Sequence, residues 1–94
     1  MKYLITCIFK YKAKNCTLFF QKNVEIFPIV PVGSEFIPNF PAGGQYKGKI
    51  DFYSVSDDGK HIEIIVKHEQ EIKSEKDIDF LKSSFGRDYQ YAII

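Results

Sequence analysis

Tyr46-Lys47-Gly48-Lys49-Ile50-Asp51-Phe52-Tyr53-Ser54-Val55-Ser56-Asp57-Asp58-Gly59-Lys60-His61-Ile62-Glu63-Ile64-Ile65-Val66-Lys67 is the stretch that decides the fold. Two runs rich in β-branched and aromatic residues flank Ser-Asp-Asp-Gly-Lys, the composition of a β-hairpin. A type I turn at Asp57-Asp58, with Gly59 in the left-handed conformation, closes Ser56 onto Lys60. That register sets Phe52 opposite Ile64 and Ile50 opposite Val66, on one apolar face. A two-residue Asp58-Gly59 turn would instead set Asp51 against Val66 and bury a carboxylate, which is costly. Tyr53, Val55 and Ile65 fall on the other face, so both faces are expected to be partly covered, as in a barrel or beneath a helix.

Working outward, residues 2–12 alternate with period two. Tyr3, Ile5, Cys7, Phe9 and Tyr11 share one face, and Leu4 and Ile8 share the other with Lys2, Thr6, Lys10 and Lys12. This is a strand. Cys16-Thr17-Leu18-Phe19-Phe20-Gln21 makes a second one, and a turn at 12–15 sets Phe9 opposite Leu18 or Phe20. All four prolines (Pro28, Pro31, Pro38 and Pro41) lie within 24–45. Proline lacks the ladder N–H, so Pro28 and Pro31 mark an extended edge or crossover, Val32 to Ile37 reads as a turn followed by a short strand, and Asn39 to Gly44 as a loop. Ser74 to Gly86 reads as a helix. Ser74 is at the N-cap and Asp77 three residues on, with Ile78, Leu81 and Phe85 as the apolar stripe and Gly86 as the stop. Tyr89 to Ile94 reads as a last strand.

These elements predict one β-rich α+β domain over 1–94. Its architecture is a small antiparallel sheet or partly open barrel of five to six strands, with one helix at about 75–85 and a final strand. Nine phenylalanines and six tyrosines without tryptophan suit strands and a bulky core. The net charge is +1 but unevenly spread. Residues 1–22 carry five lysines and no acid, whereas 51–94 hold ten acids against six basic residues. A nucleic-acid binder is usually more basic overall, so a dipolar surface is the plainer reading.

Cys7 and Cys16 fall several pairs apart on the first hairpin, too far for a bridge, and two free thiols suit a reducing compartment. The apolar run after Lys2 is shorter than a signal-peptide core and ends at Lys10, and nothing approaches a membrane span. The expectation is a cytoplasmic protein with no membrane contact.

Gly43-Gly44-Gln45-Tyr46-Lys47-Gly48-Lys49-Ile50 nearly matches a phosphate-binding loop. It lacks the hydroxyl after the lysine, and a strand follows where a helix N-terminus is needed. His61 and His68, seven apart on one strand, point to opposite faces, and His61 with Glu63 supplies too few ligands for a metal. Asp57-Asp58 is explained by turn chemistry and Asp77-Asp79 by the helix dipole. No catalytic residue, metal site or cofactor is assigned, and the chain is expected not to be an enzyme.

Two binding readings follow. The first is a non-catalytic protein-interaction domain (an accessory, adaptor or inhibitor) whose unidentified protein partner is gripped by Phe27, Phe36 and Phe40 of the proline-rich segment. The same residues also read as a core cap. The alternative is a small β-barrel binding nucleic acid through Lys10, Lys12, Lys14, Phe19 and Lys22, which combine positive charge with an aromatic platform. The sequence leaves the oligomeric state open, with a homodimer through a sheet edge among the options.

Overall fold

The computed structural model describes residues 2–94. Six strands, β1 (Lys2–Tyr11), β2 (Cys16–Val24), β3 (Glu35–Phe36), β4 (Gly48–Val55), β5 (His61–His68) and β6 (Gln90–Ile93), form one open sheet in the order β3-β4-β5-β1-β2-β6. One helix, α1 (Glu75–Phe85), connects β5 to β6. The fold is therefore α+β and β-rich. The sheet does not close into a barrel.

The expectation of purely antiparallel pairing is corrected at one seam. The two hairpins join side by side through β1 and β5, which run parallel with Ile5 opposite Ile64 and Cys7 opposite Val66. The reason lies in Ile64, Ile65 and Val66, all buried. A strand that buries side chains on both faces belongs inside a sheet, with a neighbour on each edge. The first hairpin pairs Phe9 with Leu18 and Tyr11 with Cys16.

The second hairpin departs from the expected register. Ser56 N–H donates to the carbonyl of His61 at 3.0 Å, so Ser56 closes onto His61 rather than Lys60. The longer loop is held by the Asp58 carboxylate, which accepts from Ser56 Oγ at 2.5 Å and from Lys60 N–H at 2.9 Å. Gly59, at φ +70°, supplies the left-handed turn. The extra loop residue is offset by a β-bulge at Asp51. Ile50 still faces Val66, but Phe52 now faces Ile65, and Tyr53 faces Ile64. A bulge reverses which face the following side chains occupy. Tyr53 therefore turns onto the core side, and Phe52 turns outward and is 49% exposed.

One face of the sheet carries the core. Ile5, Cys7, Phe9, Tyr11, Leu18, Phe20, Ile50, Ile64 and Val66 pack against Ile72, Ile78, Leu81 and Phe85. Phe85 stacks on Phe20 at 4.5 Å and meets Phe9 edge-on at 6.1 Å, both favoured aromatic geometries. At the helix start the Ser74 hydroxyl makes no capping bond. Asp77 does not close the box on Ser74 but reaches one residue further back, its Oδ2 accepting from Lys73 N–H at 2.9 Å. The helix ends where Gly86 N–H closes on the Lys82 carbonyl at 3.2 Å.

The proline-rich segment covers the rest of that face. Val24, Phe27, Val30, Phe36, Phe40 and Tyr46 all pack on the core. Val30 is tied down twice by Tyr53, whose hydroxyl donates to its carbonyl at 2.7 Å and accepts from its N–H at 3.2 Å. Gly48 has a packing role, because a Cβ there would come within 2.7 Å of the Lys67 carbonyl and 2.8 Å of Val66. The glycine of the near-match phosphate loop thus serves the close approach of β4 to β5. Among the described residues, no helix is long and apolar enough to cross a membrane.

Candidate binding surface

The second face of the sheet carries neither the helix nor the aromatic cluster. Strand alternation and the observed pairings place side chains on it in rows. One row runs Lys49, Lys67, Ile8, Phe19 and Ala92 across five strands. The next runs Phe52, Ile65, Thr6, Gln21 and Gln90, and a third runs Ser54, Glu63, Leu4 and Asn23. Ile65 and Thr6 are buried at the centre of this face by their neighbours. Leu4, Ile8 and Phe19 are half-buried beside them. Thr6 is fully engaged: its Oγ1 donates to Glu63 Oε2 at 2.7 Å and accepts from Gln21 Nε2 at 3.1 Å. The face is thus an apolar band crossed by one satisfied polar network.

At the end where β1 and β5 finish, the face opens into a cleft of about 540 Å³ lined by Ile8, Val32, Lys10, Lys12, Lys49 and Lys67. The acids in its wall are Asp51, Glu69 and Glu71. Asp51 is engaged by Lys67 at 3.3 Å. Lys49 and Lys67 face each other within the β4–β5 hairpin, and Lys10 and Lys12 join them because β1 pairs with β5.

Sequence-chosen residues divide between the two sides of the molecule. Lys10, Lys12 and Phe19 lie on this face or at its cleft. Lys14 and Lys22 do not. Lys14 reaches Glu75 at 3.0 Å at the start of α1, and Lys22 lies 4.0 Å from Asp88 and 5.5 Å over the Tyr89 ring. Phe27, Phe36 and Phe40 sit partly buried on the opposite face. Phe40 packs edge-on to Phe85 at 5.3 Å, and Phe36 edge-on to His68 at 6.3 Å. The exposed apolar side chains of that segment are its aliphatic ones, Ile26, Ile29, Val32 and Ile37. Lys49, Lys67, Ile8 and Ile65 were not singled out from sequence. Their alternation shows that Ile8 and Ile65 point away from the core, but only the β1–β5 seam makes them neighbours.

The two cysteines and two histidines are each enclosed or engaged by a neighbour. Cys7 is fully buried, and burial pushes its thiol far up from its ordinary range. Cys16 Sγ donates to the Lys14 carbonyl at 3.1 Å, and both thiols are free of disulfides. His68 stacks on Phe9 at 4.1 Å, and burial lowers its pKa to about 4. Its Nδ1 lies 2.6 Å from the Tyr46 carbonyl, so Nδ1 carries the proton and the ring is neutral. His61 lies on the other side of its strand, 3.7 Å from Asp58. Among the described residues, no three His, Cys, Asp or Glu side chains gather as a metal site would require.

No protein-family model matches the chain, and no curated protein or solved structure is similar enough to count as a match.

Proposed function

We propose that the chain is a non-catalytic protein-interaction domain that receives its partner on the uncovered face of the sheet. One observation carries this reading. A sheet with one solvated face ordinarily alternates apolar side chains inward with polar ones outward. Here the outward positions include Leu4, Ile8, Phe19, Phe52 and Ile65. A contiguous apolar band rimmed by charge is the composition of an interface. The lysines at its cleft end suit a partner that is acidic there. Support for a non-catalytic role comes from Cys7, whose side chain is fully enclosed, and from His68, whose ring is stacked on Phe9 and committed through Nδ1 to the Tyr46 carbonyl. The unpaired Cys7 and Cys16 support a reducing, cytoplasmic setting.

The test compares capture of host proteins by the wild type with capture by Ile8→Asp and Phe52→Asp. A buried like-sized apolar contact replaced by a carboxylate should lower partner recovery by about tenfold or more. Lys76→Glu, on exposed α1, should leave recovery unchanged. Equal capture by all four proteins would refute the use of this face.

A second reading, single-stranded nucleic acid on the same face, is favoured by the row that sets Lys49 and Lys67 in line with Ile8 and Phe19. Bases stack on aromatic rings while lysines meet phosphates. Fluorescence anisotropy with a single-stranded oligonucleotide separates the two. Tight binding that weakens steeply with salt and is lost on Lys49→Glu or Phe19→Ala would favour nucleic acid.

A further inference from the structure

The two edges of the sheet are treated differently. On one side, β3 is two residues long and lies between Pro31 and Pro38, with Lys47 and Lys49 beside it. Short strands, prolines and lysines are the ordinary means of keeping an edge from pairing with another chain. On the other side stands β6, Gln90-Tyr91-Ala92-Ile93. It contains no charge, no proline and no bulge. Ile93 is 48% exposed, and Ile94 just beyond it is 80% exposed.

The direction of its backbone groups follows from the ladder. Thr17 and Ile94 exchange both hydrogen bonds, at 2.8 and 3.0 Å. Antiparallel pairs alternate, so Ala92 and Gln90 also turn their N–H and C=O toward β2, and Tyr91 and Ile93 turn theirs outward. Four backbone groups thus face away from the sheet in a row, and no side chain of the described residues bonds to them. A strand added at this edge satisfies all four, and a second copy related by a two-fold axis perpendicular to the sheet brings its β6 in antiparallel.

We propose that two copies of this chain pair antiparallel through β6, with Ala92 facing Ala92 of the second copy, so that two six-stranded sheets become one. The strand is self-complementary in this register. Tyr91 of each copy exchanges two hydrogen bonds with Ile93 of the other, which uses all four outward groups. A register centred on Tyr91 instead sets Ile93 against Tyr89, whose N–H is already bonded to the Gly86 carbonyl. The side chains also match. Tyr91 meets Ile93 on the helix side, and Ala92 meets Ala92 on the open side with no charge opposed to charge. The small alanine sits where the strands come closest, since non-hydrogen-bonded pairs approach to roughly 4.5 Å between Cα atoms. A two-fold axis through this pair gives a closed, isologous dimer rather than a fibre. The inference does not rest on which partner the open face receives.

The register makes a sharp test. In a Cys16→Ser background, Ala92→Cys places two thiols across the two-fold at a separation that a disulfide spans. Mild oxidation should convert most of it into a covalent dimer on non-reducing electrophoresis. Gln90→Cys, four pairs from its own symmetry mate, should remain a monomer on the same gel. In sedimentation without oxidant, the wild type should reach twice the 10.9 kDa chain mass as concentration rises. Ala92→Lys, which opposes two ammonium groups on an exposed position, should sediment as a monomer with an unchanged circular dichroism spectrum. A wild type that stays monomeric at every concentration, or equal cross-linking at 90 and 92, would overturn the proposal. Loss of partner capture by the open-face variants with the dimer intact would leave it standing.

Discussion

His68 shows how one side chain couples the core to solution conditions. Its ring lies flat on Phe9, and its Nδ1–H is committed to the Tyr46 carbonyl. Burial makes the charged form unfavourable and lowers the pKa from 6.5 to about 4. The sign follows from linkage. Between those values the unfolded chain binds a proton that the folded chain refuses, so stability falls as pH drops. The contribution is fully present above pH 6.5 and is lost on the way down to about 4, on the order of 3 kcal/mol at full extent. Urea midpoints of the wild type should therefore fall more steeply over that window than those of His68→Phe, which keeps the aromatic stack without a titrating group. Parallel slopes for the two proteins would show that the ring charges without cost. The opposite orientations of His61 and His68 were legible from their odd spacing on one strand. The stack was not, because Phe9 reaches His68 only across the β1–β5 seam.

Among the elements, the second hairpin is where turn chemistry and packing compete. Ser-Asp-Asp-Gly-Lys announced the turn, and Gly59 does adopt positive φ. The loop is one residue longer than the spacing suggested, because the Asp58 carboxylate satisfies both Ser56 and the Lys60 amide. Core packing nevertheless keeps Ile50 opposite Val66, so the excess residue is expelled as a bulge at Asp51. That bulge aims Tyr53 at the proline-rich segment. Tyr53→Phe removes both hydrogen bonds to Val30 while keeping the ring. We expect a loss of about 1 kcal/mol in chemical denaturation, since a partly buried amide and carbonyl lose their partner. The Val30 amide should exchange faster with deuterated water, and the α1 amides should not. Unchanged exchange at Val30 would mean that its packing alone holds the segment.

For the whole molecule, the parallel seam governs how the chain assembles. Residues 2–8 must find residues 61–67 before the centre of the sheet exists. Only α1, eleven residues long, is built from local contacts of the α-helical kind. A fold dominated by distant pairings refolds slowly, because loop closure is costly before contacts form. Stopped-flow refolding should therefore occupy milliseconds to seconds rather than microseconds. Microsecond refolding would contradict the central position of the β1–β5 pair.

The local patterns of the chain determined its elements. Alternation along 2–12 and 16–21 made a hairpin. Four prolines kept 24–45 out of the long strands, and Ser74, Asp77 and the Ile78, Leu81 and Phe85 stripe placed the helix over Glu75–Phe85. Each of these signals arises within a few residues, from backbone geometry and side-chain period. Tertiary structure alone decided that the sheet stays open, that β5 lies parallel to β1, and that the bulge at Asp51 sends Phe52 outward. Those choices set which residues meet. They moved Phe27, Phe36 and Phe40 against the core and gathered Lys10, Lys12, Lys49 and Lys67 around one cleft. The physical reason is that burial is a property of pairs of elements. A strand's sequence shows that it has an apolar face, but only its neighbour in the sheet and the layer above it determine whether that face is covered.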